Sequence, residues 1–230
     1  MAAVKSPDKV HCFREACPNV EIICNNFFLR YTSFIKFNGS VNDEENISEK
    51  KGQIGMNILV ITGSPRKNGN TEIMAGEFAA SAIEAGHQVT VRKLSENKVN
   101  PCIACKYCFT HDGVCVQNDD MNEILKDLDQ ADMLVLASPI YWFDVSAQTK
   151  CFIDRMYAFA KKGFHIKSIA MLLNSGADGV YHAAEAQLRS IASYLKWELK
   201  GIIKIPNLQE KGSIKDVKEL EQVRDFAKSL

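Results

Sequence analysis

The chain has 230 residues, with 28 Lys+Arg balanced by 28 Asp+Glu, 46% hydrophobic residues and 8 Cys. At roughly 100–200 residues per domain, that length holds one well-cored domain plus an extension, and a formal net charge of zero lacks the basic excess expected of a nucleic-acid or anionic-membrane binder. Nowhere do 18 apolar residues run together, because Glu21, Arg30 and Lys36 interrupt the apolar stretch 20–37, so no membrane span is expected. The first residues lack the basic, apolar and small-residue order of a secretory signal, and a cytoplasmic location is expected. Cysteines in a large unsecreted chain read as metal or redox ligands rather than as a disulfide frame.

Residues 1–55 show no sustained period and end in a polar, charged run from Asn38 to Gly55 that resembles a linker. They are expected to be a poorly structured extension, or upstream sequence from a mis-chosen start codon, since Met56 stands directly before the first strand. Cys12, Cys17 and Cys24, spaced C-x4-C-x6-C, form no site pattern. From Met56 onward, apolar runs alternate with helical stripes. Ile58-Leu59-Val60-Ile61, Met133-Leu134-Val135-Leu136 and Ile169-Ala170-Met171-Leu172-Leu173 are continuous apolar segments, as strands buried on both faces of a parallel sheet should be. His87–Leu94, with alternating Val89 and Val91, and the short, lysine-flanked Ile202–Ile205 suit two edge strands. Met74, Phe78 and Ala82 predict one helix, and Val180, Ala184, Leu188, Ile191 and Leu195 another. Ile214, Val217, Leu220, Val223 and Phe226 predict a closing amphipathic helix. Five strands alternating with helices imply a doubly wound α/β domain over 56–230 with right-handed crossovers.

The first strand runs into Thr62-Gly63-Ser64-Pro65-Arg66-Lys67-Asn68-Gly69-Asn70-Thr71 and then a helix. A helix N-terminus presents free backbone N–H groups and the positive end of its dipole to an anion. Five residues separate Gly63 from Gly69 and no Lys-Ser/Thr pair follows, so the loop is not an ATP-type P-loop. It also lacks G-x-G-x-x-G, and the second strand ends in Arg92-Lys93-Leu94-Ser95 without the acidic residue of a dinucleotide fold. What remains is a monophosphate held by Ser64, Arg66, Asn68, Asn70 and Thr71 with backbone N–H groups. The alternative is a ligand-free turn capped by Asn70 or Thr71.

After the second strand, Cys102, Cys105, Cys108 and Cys115 spell C-x2-C-x2-C-x6-C within a cysteine-rich loop, 101–116. Two-residue spacings let thiolates converge on one small inorganic centre, and four Cys are the ligand set of a [4Fe–4S] cluster. Zinc, free thiols and a disulfide pair stay open as alternatives. The third strand ends in Ser138-Pro139-Ile140-Tyr141-Trp142-Phe143, beside the first strand, where ligands bind in doubly wound sheets. Three consecutive aromatics there offer stacking faces to a flat heteroaromatic ring, or else cover the core. Cys151 reads as a buried apolar thiol, Asp154 and Arg155 as helix-surface groups, and His111, His165 and His182 as structural or exposed.

Taken together, Gly63-Ser64-Pro65-Arg66, Gly69-Asn70-Thr71, Ser138–Trp142, Lys150 and Asp154-Arg155 resemble the NADPH-dependent FMN reductase group of flavodoxin-like proteins, over about 56–230. The cysteine motif with the following Asp119-Asp120-Met121 resembles its iron-sulfur flavoprotein branch. The resemblance implies a flavodoxin-like five-stranded parallel sheet, order 2-1-3-4-5, with helices on both faces. It implies FMN phosphate on Ser64, Arg66, Asn68, Gly69, Asn70 and Thr71, and the isoalloxazine against Pro139, Ile140, Tyr141, Trp142 and Phe143 and against the loop after the fourth strand, Asn174-Ser175-Gly176. NAD(P)H is the implied co-substrate, with a flavin, a quinone or a ferredoxin-like protein as acceptor and a homodimer or homotetramer as the assembly. No catalytic side chain is expected, because the flavin carries the chemistry. A flavodoxin-like electron carrier without nicotinamide activity and a cluster-based redox sensor are the rival readings.

Overall fold

Strand β1 (Asn57–Thr62) is buried from Ile58 onward because its alternate side chains face two separate cores. Ile58 and Val60 point into one apolar cluster and Leu59 and Ile61 into the other, which is why the strand reads as an unbroken apolar run. The computed structural model describes residues 55–230. The extension expected over 1–55 falls outside the described residues except for Gly55.

The other elements are α1 (Asn70–Glu84), β2 (Gln88–Lys93), α2 (Met121–Gln130), β3 (Met133–Tyr141), β4 (Asp144–Val145), α3 (Ala147–Arg155), β5 (Ser168–Asn174), α4 (His182–Leu195), β6 (Glu198–Ile205) and α5 (Leu220–Lys228). The parallel sheet runs β2-β1-β3-β5-β6. This is the expected 2-1-3-4-5 order, its last two strands being β5 and β6 here because the two-residue β4 pairs antiparallel with β3 off the main path. Helices α1 and α5 cover one face, through Met74, Phe78, Ala82, Leu220, Val223 and Ala227. Helices α2, α3 and α4 cover the other, through Leu125, Leu128, Phe152, Ala184 and Leu188. Each fully buried side chain of this size contributes about 1.5–3 kcal/mol of hydrophobic stabilisation. Both edge strands were expected, and β2 is blunted by charge: Arg92 pairs with Asp127 of α2. Among the described residues no helix is long and apolar enough to cross a membrane.

Three local expectations change. The closing helix is broken: Ile214 sits in a 3-10 turn over Ser213–Asp216, and α-helix begins only at Leu220. The cause is tertiary, since the Ile214 backbone N–H donates to Asn70 Oδ1 across the molecule. Cys151 is half-buried rather than enclosed. Arg155, expected on a helix surface, is 2% exposed, because a buried carboxylate, Asp119, receives it.

Candidate functional site

The β1–α1 loop is built by short local bonds. The Arg66 N–H donates to Ser64 Oγ (3.1 Å), the Gly69 N–H to Arg66 O (3.1 Å), and the Asn68 N–H to Glu72 Oε2 (2.7 Å). That last bond holds Asn68 at φ 54°, a left-handed conformation that Asn tolerates better than most residues. Gly69 caps α1 with no side-chain hydrogen bond, so the first-turn N–H groups have no partner within the helix and face the loop.

A polar knot fixes this loop to the sheet. Ser146 Oγ donates to Gly63 O (2.6 Å), lies 2.9 Å from Thr149 Oγ1 and accepts from the Thr149 N–H. Thr149 Oγ1 in turn donates to Ser138 Oγ at 3.1 Å. Gly63 is dictated by this contact: a Cβ there would stand 1.7 Å from Thr149 Oγ1.

The loop, the end of β3 and the turn after β5 enclose a cleft of about 180 Å³. Of the sequence-predicted residues, Ser64, Arg66, Gly69, Asn70, Thr71, Pro139, Ile140, Tyr141, Ser175 and Gly176 line it. Asn68, Trp142 and Phe143 do not; Trp142 is 92% exposed. Asn174, Leu208, Gln209 and Lys211 complete the wall. No local motif marks the last three, whose position depends on Asn70: its Nδ2 donates to Glu210 O at 2.9 Å while its Oδ1 accepts from Ile214.

The side-chain roles divide accordingly. Asn70 is engaged with the 210–214 segment, and the Thr71 hydroxyl donates to Asn174 Oδ1. Ser175 Oγ donates to Ala177 O and takes the Tyr181 hydroxyl at 2.6 Å. These three frame the cleft, whereas the backbone N–H groups, Arg66 and Lys211 are its anion-facing donors. The donor set fits a phosphate, and the extended wall at 139–141 fits a planar ring. The volume lies below the ~300–1,000 Å³ of an enclosed ligand pocket, as for a cleft open to the surface.

The turn between β3 and β4 joins Tyr141 to Asp144, which face each other across the hairpin, with Trp142 at φ 46° and Phe143 at φ 70°. Two positive φ values define the tight hairpin turn that normally takes Asn-Gly. Bulky residues held there cost about 1–3 kcal/mol each, and such strain clusters at functional sites.

The four cysteines line a second, small pocket with Ile103, Ala104, Tyr157, Ala158 and Arg155. Ala104 and Lys106, between the first three cysteines, have φ 54° and 58°, which turns the chain at each two-residue spacer. The Ala104 N–H donates to Cys102 Sγ at 3.4 Å. Burial pushes the Cys108 thiol up; its own backbone offsets this in part, and Cys115, Cys105 and Cys102 push it further. Among the described residues no three His, Cys, Asp or Glu side chains are grouped closely enough to hold a single metal ion.

The neck of this loop is stitched shut. Lys98 and Asp120 exchange two bonds, and Asp119 Oδ2 accepts the Asn100 N–H at 2.9 Å. Arg155, the last residue of α3, donates from Nη1 to Asn100 O (2.9 Å) and Asp119 Oδ2 (2.7 Å), and from Nη2 to Asp119 Oδ1 (2.8 Å). Burial opposes both charges. It is outweighed at Asp119 by Arg155 and by the backbone N–H groups of Asn100 and Met121, which hold the carboxyl below its ordinary range; Asp119 and Cys115 hold the guanidinium protonated. Arg155 Nε is buried without a partner.

Comparison with known proteins agrees with this geometry. A family model described as NADPH-dependent FMN reductase matches residues 56–200. An iron-sulfur flavoprotein of Archaeoglobus fulgidus is 33% identical over 65% of this chain and 66% of its own length. One of Methanosarcina thermophila is 31% identical over 76% of this chain and 93% of its own. The matched stretch thus spans just under two thirds of the first relative and nearly all of the second. Among solved structures, an NAD(P)H:quinone oxidoreductase from Methanothermobacter marburgensis superposes with a TM-score of 0.57 at 17% identity, over 76% of this chain and 96% of that one. An azoreductase from Bacillus anthracis gives 0.59 at 16%, over 76% and 100%. At those identities the structural likeness establishes the flavodoxin-like fold.

Proposed function

This chain belongs to the NADPH-dependent FMN reductase family of oxidoreductases, and on that premise we propose that it oxidises NAD(P)H through FMN and passes electrons by way of a [4Fe–4S] cluster to an acceptor such as a flavin, a quinone or a ferredoxin-like protein. The observation that carries the cluster is the common pocket of Cys102, Cys105, Cys108 and Cys115 over a buried guanidinium with an unused N–H. Four cysteine thiols drawn to one pocket offer the ligand set of a [4Fe–4S] cluster. A cube of four irons takes one thiolate per iron and so spreads its ligands wider than the ~2.3 Å bonds of a single zinc ion allow.

When bound, FMN supplies hydride chemistry and the cluster single-electron chemistry. The chain binds and orients. Arg66, Lys211 and the N–H groups of the first turn of α1 hold the phosphate, Asn174 and the 139–141 backbone flank the ring, and the aromatic hairpin stands at the mouth. No side chain need move a proton at the cleft, because the flavin carries the chemistry. Helix α3 underlies both sites. Ser146 at its N-cap fixes the phosphate loop and Arg155 at its end enters the cysteine pocket, roughly 13 Å along the axis at 1.5 Å per residue. Residues 56–230 form the FMN-binding domain in this reading, 1–55 an extension, and the working assembly is a homodimer or homotetramer.

Anaerobic purification with an absorption spectrum, iron and sulfide assays and NADPH titration tests this. Bound flavin bleached by NADPH together with about four irons per chain supports it. Flavin without iron leaves a plain FMN reductase, and a chain that binds no FMN refutes the whole reading.

A further inference from the structure

Arg155 does more than close the neck of the cysteine loop. It is 2% exposed, and it lines the pocket of the four cysteines. Nη1 and Nη2 are spent on Asp119 and Asn100, whereas buried Nε has no partner. The countercharge is placed asymmetrically: Asp119 takes the outer fork of the guanidinium and also binds the Asn100 and Met121 N–H groups. Arg155 lines the cysteine pocket, and Asp119 is not among its lining residues. Arg155 also ends α3, where the negative end of the helix dipole favours a cation.

On the reading that the pocket holds a cluster, we propose that Arg155, oriented by Asp119, is the positioning residue that sets the cluster's reduction potential. One-electron reduction adds one negative charge to a centre already made negative by four thiolates, with no bond formed or broken. A fixed cation that is itself buried favours the more negative state, because a charge held out of water is weakly screened. Hydrogen bonds to the sulfurs act in the same direction. The midpoint is therefore higher than the cysteine loop alone would give.

The test uses the full chain, reconstituted anaerobically with iron and sulfide. Iron, sulfide and FMN content are measured first, followed by a dithionite titration of the cluster monitored by electron paramagnetic resonance. Asp119→Asn removes the balancing carboxylate, leaves the cation and shifts the midpoint upward. The double variant Arg155→Met/Asp119→Asn removes both charges without stranding either, and shifts it downward at unchanged iron content. Opposite shifts are the signature of charge, which a merely structural role would not give. Shifts of the same sign, no shift with iron retained, or loss of iron from both variants overturns the proposal. Wild-type chain that takes up FMN but no iron removes the cluster reading, and this proposal with it.

Discussion

Thr71 Oγ1 donates to Asn174 Oδ1 over 2.6 Å, joining the first turn of α1 to the carboxyl end of β5 across 103 residues of sequence. Both residues are buried, and both line the cleft. The two walls of the cleft are therefore one mechanical unit.

Thr71→Val keeps the shape and strands the Asn174 oxygen. A buried acceptor left without its donor costs about 1–3 kcal/mol. Urea denaturation should show that loss, and FMN affinity should fall with it as the two walls uncouple.

Arg66→Ala should weaken FMN by about 10–100-fold, the equivalent of one charge-assisted hydrogen bond. Riboflavin, which lacks the phosphate, should bind wild type and variant alike. Fluorescence-quenching titrations with the two flavins separate the cases, and an equal loss for both would place Arg66 outside the phosphate site.

Gly63→Ala drives a methyl group into Thr149 Oγ1 and to 2.9 Å from Ser146 Oγ. Overpacking of this kind costs about 1–3 kcal/mol, and the displaced polar knot adds to it. Thermal melts should show the loss, with Thr149→Ala as a second substitution giving partial relief.

Phe143→Gly should stabilise the fold by about 1 kcal/mol, since glycine takes the positive φ of the β3–β4 turn without strain. The same change should loosen flavin binding. A variant that melts higher while retaining less FMN would show that strain is kept at this turn for the site.

Asp119 gives a pH dependence with a definite sign. Its folded carboxyl titrates below the ordinary value of 3.8, so the unfolded chain binds its proton more readily. The stabilisation is complete above that ordinary value and drains away as pH falls through the lowered folded one. Between pH 5 and the onset of acid unfolding, Asp119→Asn should flatten this part of the stability curve, as checked by urea midpoints at successive pH values.

The parts of the fold carried by hydrophobic patterning were legible. Continuous apolar runs marked β1, β3 and β5, and charge-flanked ones marked the edges, because burial on two faces or one writes itself directly into composition. The β1–α1 loop of the cleft was legible because its residues are consecutive. Gln209 and Lys211 were not, since long-range bonds bring that segment to the cleft, from Asn70 to Glu210 and Ile214 and from Leu208 and Gln209 to the turn after β5. Arg155 was misplaced for a similar reason. A charged residue on a helix reads as solvated unless its partner is known, and Asp119 stands 36 positions away. The β3–β4 hairpin escaped notice because Trp142-Phe143 replaces the Asn-Gly signal such a turn normally carries.

The stitched neck at Lys98–Asp120 and Asn100–Asp119 makes the cysteine loop an excursion that begins and ends at one point. No sheet strand lies inside it, and β2 is complete before it starts. A segment closed in this way is exchangeable cargo. The chain could shed it for a short link between Asn100 and Asp119, or accept another of different length, without re-threading the sheet. The scaffold can thus gain or lose the four-cysteine pocket while the cleft beside β1 and β3 stays as it is.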